Sequence, residues 1–136
     1  MTTKNSAGLT YCKSILIVED EPTIRENLRM LLELEGYLVC TANDGESGLR
    51  VLRDMSRPCL VLLDLLMPVM NGMEFLEAKS HDDAIAAIPV CIVSGVADKP
   101  HTHGAIGFVK KPIDFDGLLK FVRQFCGVPE TKERTL

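Results

Sequence analysis

The sequence predicts a doubly wound α/β domain, a five-stranded parallel sheet with helices on both faces. Three observations carry this. Short apolar runs alternate along the chain with segments whose apolar residues recur at helical spacing. The central run, Leu60 to Leu63, is apolar without alternation, as a strand covered on both faces requires. Right-handed crossovers between such strands then place helices on both sides of the sheet.

Ser14 to Val18 is rich in β-branched residues and stops abruptly at Glu19-Asp20-Glu21-Pro22, where Pro22 suits the first position of a helix. Ile24, Leu28, Leu31 and Leu32 follow at helical spacing until Gly36, giving a helix over 22–35. Leu38 to Ala42 reads as the second strand, and Asn43-Asp44-Gly45 turns the chain into a weaker helix with apolar positions Leu49 and Leu52. Pro58 restarts the chain, and the third strand, Leu60 to Leu63, ends at Asp64. Gly72 to Ser80 has helical character, Ile88 to Val93 is the fourth strand, and it closes at Ser94-Gly95. A short fifth strand over Gly107 to Val109 precedes a helix from Phe115 to Cys126, with Leu118, Leu119, Val122 and Phe125 inward. The stretch from Val96 to Gly104 is polar and carries Pro100, so no full helix is predicted there. Residues 1–12 and 128–136 read as tails around a domain over 13–127.

With 136 residues, 46% of them hydrophobic and 25% charged, the chain has the composition of one soluble globular domain, which excludes disordered and collagen-like classes. Fifteen Lys and Arg stand against nineteen Asp and Glu, a net charge of -4, so no broad basic face exists for direct nucleic-acid binding. The longest apolar stretches fall far short of the ~20 residues of a membrane helix. The amino terminus, Met1-Thr-Thr-Lys-Asn-Ser-Ala-Gly8, lacks the apolar core of a secretory signal, and the chain reads as cytoplasmic. Cysteines at 12, 40, 59, 91 and 126 are widely spaced with no C-x-x-C pair, which predicts reduced thiols. Cys40, Cys59 and Cys91 lie in strand-like runs as small core hydrophobes.

In open α/β sheets, ligands bind beyond the carboxyl ends of the strands. There the first strand offers Glu19 and Asp20, the third Asp64, the fourth Ser94 and the fifth Lys110-Lys111-Pro112. Like charges ~4 Å apart at an effective dielectric of about 20 cost about 4 kcal/mol per pair, so cationic charge must sit among these acids. A small set of oxygen ligands suits Mg2+, and a lysine of the fifth strand supplies a second positive charge. Lys110 and Lys111 point to opposite faces, so only one can reach the site. A carboxylate flanked by a metal, an ammonium and a hydroxyl is equipped to accept a phosphoryl group, with Asp64 as acceptor and the Ser94 hydroxyl holding a phosphoryl oxygen.

These residues resemble the receiver domains of two-component response regulators over about 13–127. Ile15-Leu-Ile-Val-Glu-Asp-Glu-Pro22 is similar to that family's first-strand acidic cluster, and Asp64-Leu-Leu-Met-Pro-Val-Met-Asn-Gly72 to its phosphoacceptor loop, D-x-x-M-P-x-M-[DN]-G. Ser94 is similar to the switch Ser/Thr, and Lys111-Pro112 to the Lys-Pro after the fifth strand. The resemblance implies a flavodoxin-like strand order of 2-1-3-4-5. It also implies phosphorylation on Asp64 and Mg2+ held by Asp20, by Asp64, by Glu19 directly or through water, and by the carbonyl of Leu66. Lys111 takes the family's lysine role. Phe108 falls where the family carries an aromatic switch residue that turns inward, with simple core packing as the competing reading. Between Ser94 and Lys111 the chain is shorter than the family pattern by roughly one helical turn. The fourth helix is therefore expected to be truncated or absent, and with it the usual activated dimer. That leaves a monomer whose partner surface is the 96–104 segment or the first helix.

The function implied is that of a stand-alone phospho-receiver, without an output domain and not itself an enzyme. It would accept a phosphoryl group from a histidine kinase or phosphotransfer protein and present an altered surface to a downstream protein. An aspartyl-phosphate phosphatase would need an acid two residues after the nucleophile, where Leu66 stands. A pseudo-receiver scaffold independent of phosphorylation is the alternative that the 96–104 departure keeps open. His101 and His103 lack companion ligands, Gly45 and Gly48 make no nucleotide fingerprint, and Met67, Met70 and Met73 read as packing. Glu21 reads as solvated near a helix start. Leu66 and Val96, two residues beyond Asp64 and Ser94, are expected to shield the phosphoryl group from water.

Overall fold

The computed structural model describes residues 14–95 and 104–129. Chain order is β1 (Ser14–Val18), α1 (Pro22–Leu34), β2 (Leu38–Ala42), α2 (Gly45–Asp54), β3 (Pro58–Leu63), α3 (Gly72–Ser80), β4 (Val90–Ser94), β5 (Ala105–Lys110) and α4 (Phe115–Cys126). All strand pairs are parallel and the sheet runs β2-β1-β3-β4-β5, the expected 2-1-3-4-5 order.

Alternation along the buried strands divides the core into two layers. Ile15 and Ile17 of β1, with Leu60 and Leu62 of β3 and Val93 of β4, meet Leu28 and Leu32 of α1 and Leu118 and Val122 of α4. Leu16 and Val18, with Val61, Leu63 and Ile92, face the other way onto Leu49 and Leu52 of α2 and Phe75 and Leu76 of α3. The three inner strands are thus covered on both faces, the edge strands β2 and β5 stay partly exposed, and the charged groups lie at the strand ends.

Three of the four helices begin at a residue whose side chain satisfies orphan amides, while Asp114 before α4 makes no such bond. Glu21 caps α1 by accepting from the Thr23 amide at 3.1 Å, with Pro22 following it, so the acid read as merely solvated has a structural task. Asp44 accepts from the Ser47 amide at 2.8 Å to start α2. Asn71 and Glu74 close a reciprocal capping box on α3, at 2.9 and 3.0 Å.

Several sequence expectations shift: β3 begins at Pro58 and not at Leu60, and β5 runs over Ala105–Lys110 and not Gly107 to Val109. The fourth strand starts at Val90, because Pro89 has no amide to donate and the Ile88 amide goes to the Ile85 carbonyl at 3.2 Å. Cys59 and Cys126, read as reduced thiols, form a disulfide with a Cα separation of 5.4 Å. Cys126 ends α4, and the packing of that helix on the sheet delivers it to the start of β3, 67 residues from its partner. Cys91 is buried as expected, and burial pushes its thiol up to about 12. Ten residues, 95–104, join β4 to β5, and 96–103 lie outside the described residues together with the expectations placed on Val96, Pro100, His101 and His103.

Candidate functional site

Strand register assembles the site. Val18 of β1 pairs with Leu63 of β3, so the next residues, Glu19 and Asp64, leave the sheet side by side. The Asp64 amide donates to the Val18 carbonyl at 3.0 Å and the Glu19 amide to the Ala42 carbonyl at 3.0 Å, which fixes both backbones at the rim. On the other side Ser94 pairs with Lys110, and the Lys111 amide donates to the Ser94 carbonyl at 2.8 Å. The peptide bond from Lys111 to Pro112 is cis.

Glu19, Asp20 and Asp64 each present an oxygen within 4.8 Å of the others. Glu19 and Asp64 are buried, at 1% and 5% exposure, so their charges cannot be left to bulk water. Lys111 answers them: its Nζ lies 2.8 Å from Glu19 Oε1 and 3.7 Å from Asp64 Oδ2. Burial holds the Glu19 carboxyl above its ordinary range, the Lys111 bond pulls it back, and the charge of Asp64 adds to the rise. Converging carboxylate oxygens with no nitrogen or sulfur donor suit a hard cation such as Mg2+. Of the two lysines weighed, Lys111 reaches the acids, while Lys110 is exposed.

The β3–α3 loop is pinned at both ends. Gly72 sits so close that a Cβ there would lie 2.7 Å from the Asp64 carbonyl and the Leu65 Cα, and its amide donates to the Leu65 carbonyl at 2.9 Å. Gly45, at the start of α2, donates to the Met70 carbonyl at 3.1 Å, where a Cβ would meet Met70 at 2.7 Å. Val69 holds a left-handed φ of 67°, at the apex of a tight turn in which the Met70 amide donates to the Pro68 carbonyl at 2.7 Å. Such strain in a β-branched residue costs on the order of 1–3 kcal/mol and persists only where its surroundings dictate it.

Leu66 donates its amide to Asp64 Oδ1 at 3.3 Å and is itself 68% exposed. Ser94 is fully buried at the end of β4. Phe108, opposite Ile92 in the sheet, is half-buried against the α2/α3 layer. Arg25 was not legible as a site residue: its guanidinium donates to the carbonyls of Glu19 at 2.9 Å and Asp20 at 3.4 Å, tying the acidic turn to the first turn of α1. Its only sequence signal is an arginine six residues after Glu19, on the helix face turned back toward the loop.

Known proteins share this arrangement. The family model of the response regulator receiver domain matches residues 15–123. Protein PilH of Pseudomonas aeruginosa is 34% identical over 113 residues, covering 79% of this chain and 93% of PilH. Among solved structures, response regulator TrrA of Thermotoga maritima, in complex with Mg(2+)-BeF, is 30% identical with a TM-score of 0.73, over 83% of this chain and 98% of that one. A CheY-like receiver domain protein of Methanospirillum hungatei is 28% identical with a TM-score of 0.75, over 90% and 97%. Longer regulators match in part, the chain spanning 24% of one and 50% of another. No described helix is long and apolar enough to cross a membrane. The register-built acid rim, the lysine facing it and these likenesses lead to one conclusion: the chain belongs to the response regulator receiver domain family.

Proposed function

We propose that this receiver is phosphorylated on Asp64 by a histidine kinase or phosphotransfer protein and passes the signal to a protein partner through a rearranged surface. The observation that carries the reading is Lys111 Nζ, set between the buried Glu19 and Asp64 carboxylates where it can meet an incoming phosphoryl oxygen. A carboxylate oxygen of Asp64 attacks phosphorus, the phosphorus–nitrogen bond to the donor histidine breaks, and the bonding pair leaves with the imidazole, which takes up a proton. The product is an acyl phosphate on Asp64. Asp20, Asp64, Glu19 and the Leu66 carbonyl would hold Mg2+, which when bound neutralises charge on the phosphoryl oxygens. Lys111 turns from Glu19 toward the new phosphoryl group, and the Ser94 hydroxyl holds another of its oxygens. Phe108 fills the room that the Ser94 movement opens.

A cavity of about 320 Å³ between α1 and the β5–α4 connection, lined by Ile24, Leu28, Leu31, Lys111, Pro112 and Phe115, supports a partner surface along the first helix. Incubation of the chain with Mg2+ and a small phosphodonor, read by intact mass, tests the function. One hydroxylamine-labile phosphoryl group is expected, and none in Asp64→Asn. Uptake by that variant at an unchanged rate moves the acceptor elsewhere, and no uptake by the parent chain favours the pseudo-receiver scaffold.

A further inference from the structure

Lys79, in the last turn of α3, is only 4% exposed, the most buried cation among the described residues. Its ammonium donates to the Ala86 carbonyl at 2.8 Å, and no described carboxylate lies within ion-pair distance of it. An ammonium has three donors and tolerates burial poorly unless charge and hydrogen bonds are met. Lys111, by contrast, is buried against two acids. Desolvation accordingly lowers the pKa of Lys79, with no opposing carboxylate to raise it.

A cavity of about 240 Å³ opens beside this lysine, walled by Met73, Leu76, Lys79, Ala86 and Gly104. Glu77 also lines it, but its carboxylate engages His81 Nε2 at 2.8 Å and its side chain is 75% exposed. The volume is below the roughly 300–1,000 Å³ of sites for drug-sized ligands, and suits a single side chain. Its chemistry is two-sided: apolar walls from Met73 and Leu76, and polar lining from Ser80 and from Lys79, whose ammonium makes one hydrogen bond. Leu76 also belongs to the apolar layer that holds Phe108, so an occupant resting on Leu76 adjoins the packing of that aromatic.

We infer that this cavity takes the carboxylate of an acidic side chain from a partner protein, paired with Lys79 Nζ, its methylene stem lying against Met73 and Leu76. The complementarity is of charge and shape together, since an acidic side chain offers both the acceptor oxygens that Lys79 lacks and a short apolar stem. The inference is independent of phosphorylation at Asp64.

The test follows the ε-carbon NMR signal of Lys79 in the full chain, assigned by its absence from Lys79→Met. The chain is titrated with a capped leucine–glutamate–leucine peptide, with its glutamine counterpart, and with propionate. The expected result is a saturable Lys79 shift with the glutamate peptide, binding at least about tenfold weaker for the other two probes, and, by calorimetry, loss of peptide binding in Lys79→Met. Met73→Glu, at a half-exposed position, should also abolish it by supplying a competing carboxylate. No saturable shift, equal binding of the glutamine peptide or of propionate, or binding retained in either variant overturns the inference. So does a Lys79 signal already at the paired position without peptide, since another carboxylate of the chain would then occupy the site.

Discussion

At the carboxyl end of the sheet, Glu19 and Asp64 are buried beside each other with a single ammonium between them. At the amino end, buried polar groups are matched pair by pair: the Ser14 hydroxyl donates to the Ser56 carbonyl at 2.6 Å, the Tyr37 hydroxyl to the Gly127 carbonyl, and Cys59 is bonded to Cys126. The contrast teaches where the fold concentrates conflict. Like charges that would weaken any other part of the molecule are gathered where they can bind a cation and a phosphoryl group, and the opposite end holds the strands that carry them. Changes at the rim should therefore alter chemistry with little loss of stability, and changes at the other end should do the reverse.

The largest expected effect is at Asp64: Asp64→Asn should take up no phosphoryl group while its thermal midpoint stays the same or rises, because a like-charge contact with Glu19 is relieved. A large fall in midpoint would show that the rim also holds the fold together. Next comes Cys59→Ser, which opens a cross-link spanning 67 residues and should lower unfolding free energy by about 2–4 kcal/mol in denaturant titrations. Its initial rate of phosphoryl uptake should match that of the parent chain; a slowed rate would join the two ends that the comparison separates. Asp20→Asn should weaken Mg2+ binding at least about tenfold by calorimetry, again with little change in stability. Leu66→Ala should shorten the lifetime of the phosphorylated form, a smaller effect, as expected of an exposed apolar side chain two residues beyond Asp64 that would shield the phosphoryl group; an unchanged lifetime would remove that role.

The smallest effect is a pH slope. The folded state holds the proton on Glu19 at pH values where the unfolded chain, near 4.5, has lost it. Protonation of Glu19 thus favours the folded form, and stability of the metal-free protein should decline as pH rises from about 4.5 through the raised pKa of Glu19. Glu19→Gln should flatten this slope in urea titrations at stepped pH. A slope that persists in the variant would assign the linkage to another group.

Much of this architecture is legible in the sequence because periodicity and punctuation agree. Ser14–Val18, Leu38–Ala42, Gly72–Ser80 and Phe115–Cys126 match their expected bounds, each being an apolar pattern closed by a charged, turn or capping residue. The acids could be placed together because strand ends in a parallel sheet share one rim. What escaped the sequence depends on three-dimensional register. The Cys59–Cys126 bond follows from how α4 seats on β3, for which no local signal exists. Arg25 acts through backbone carbonyls, which every residue possesses, so no motif marks its targets. Val69 adopts a left-handed conformation without the glycine that usually announces one.

The pairing of Lys111 with Glu19 joins residues 92 positions apart. As a ribosome extends the chain, all three acids have been made by residue 64, but the ammonium that answers them arrives only after β5. Contacts of such sequence separation close late, because the intervening chain must first surrender its freedom. An unfinished or partly unfolded chain therefore carries a potential acceptor with no fixed counter-charge. Under the proposed function, readiness to receive a phosphoryl group would mark completed folding, and would be confined to molecules in which the strand before Lys111 is in place.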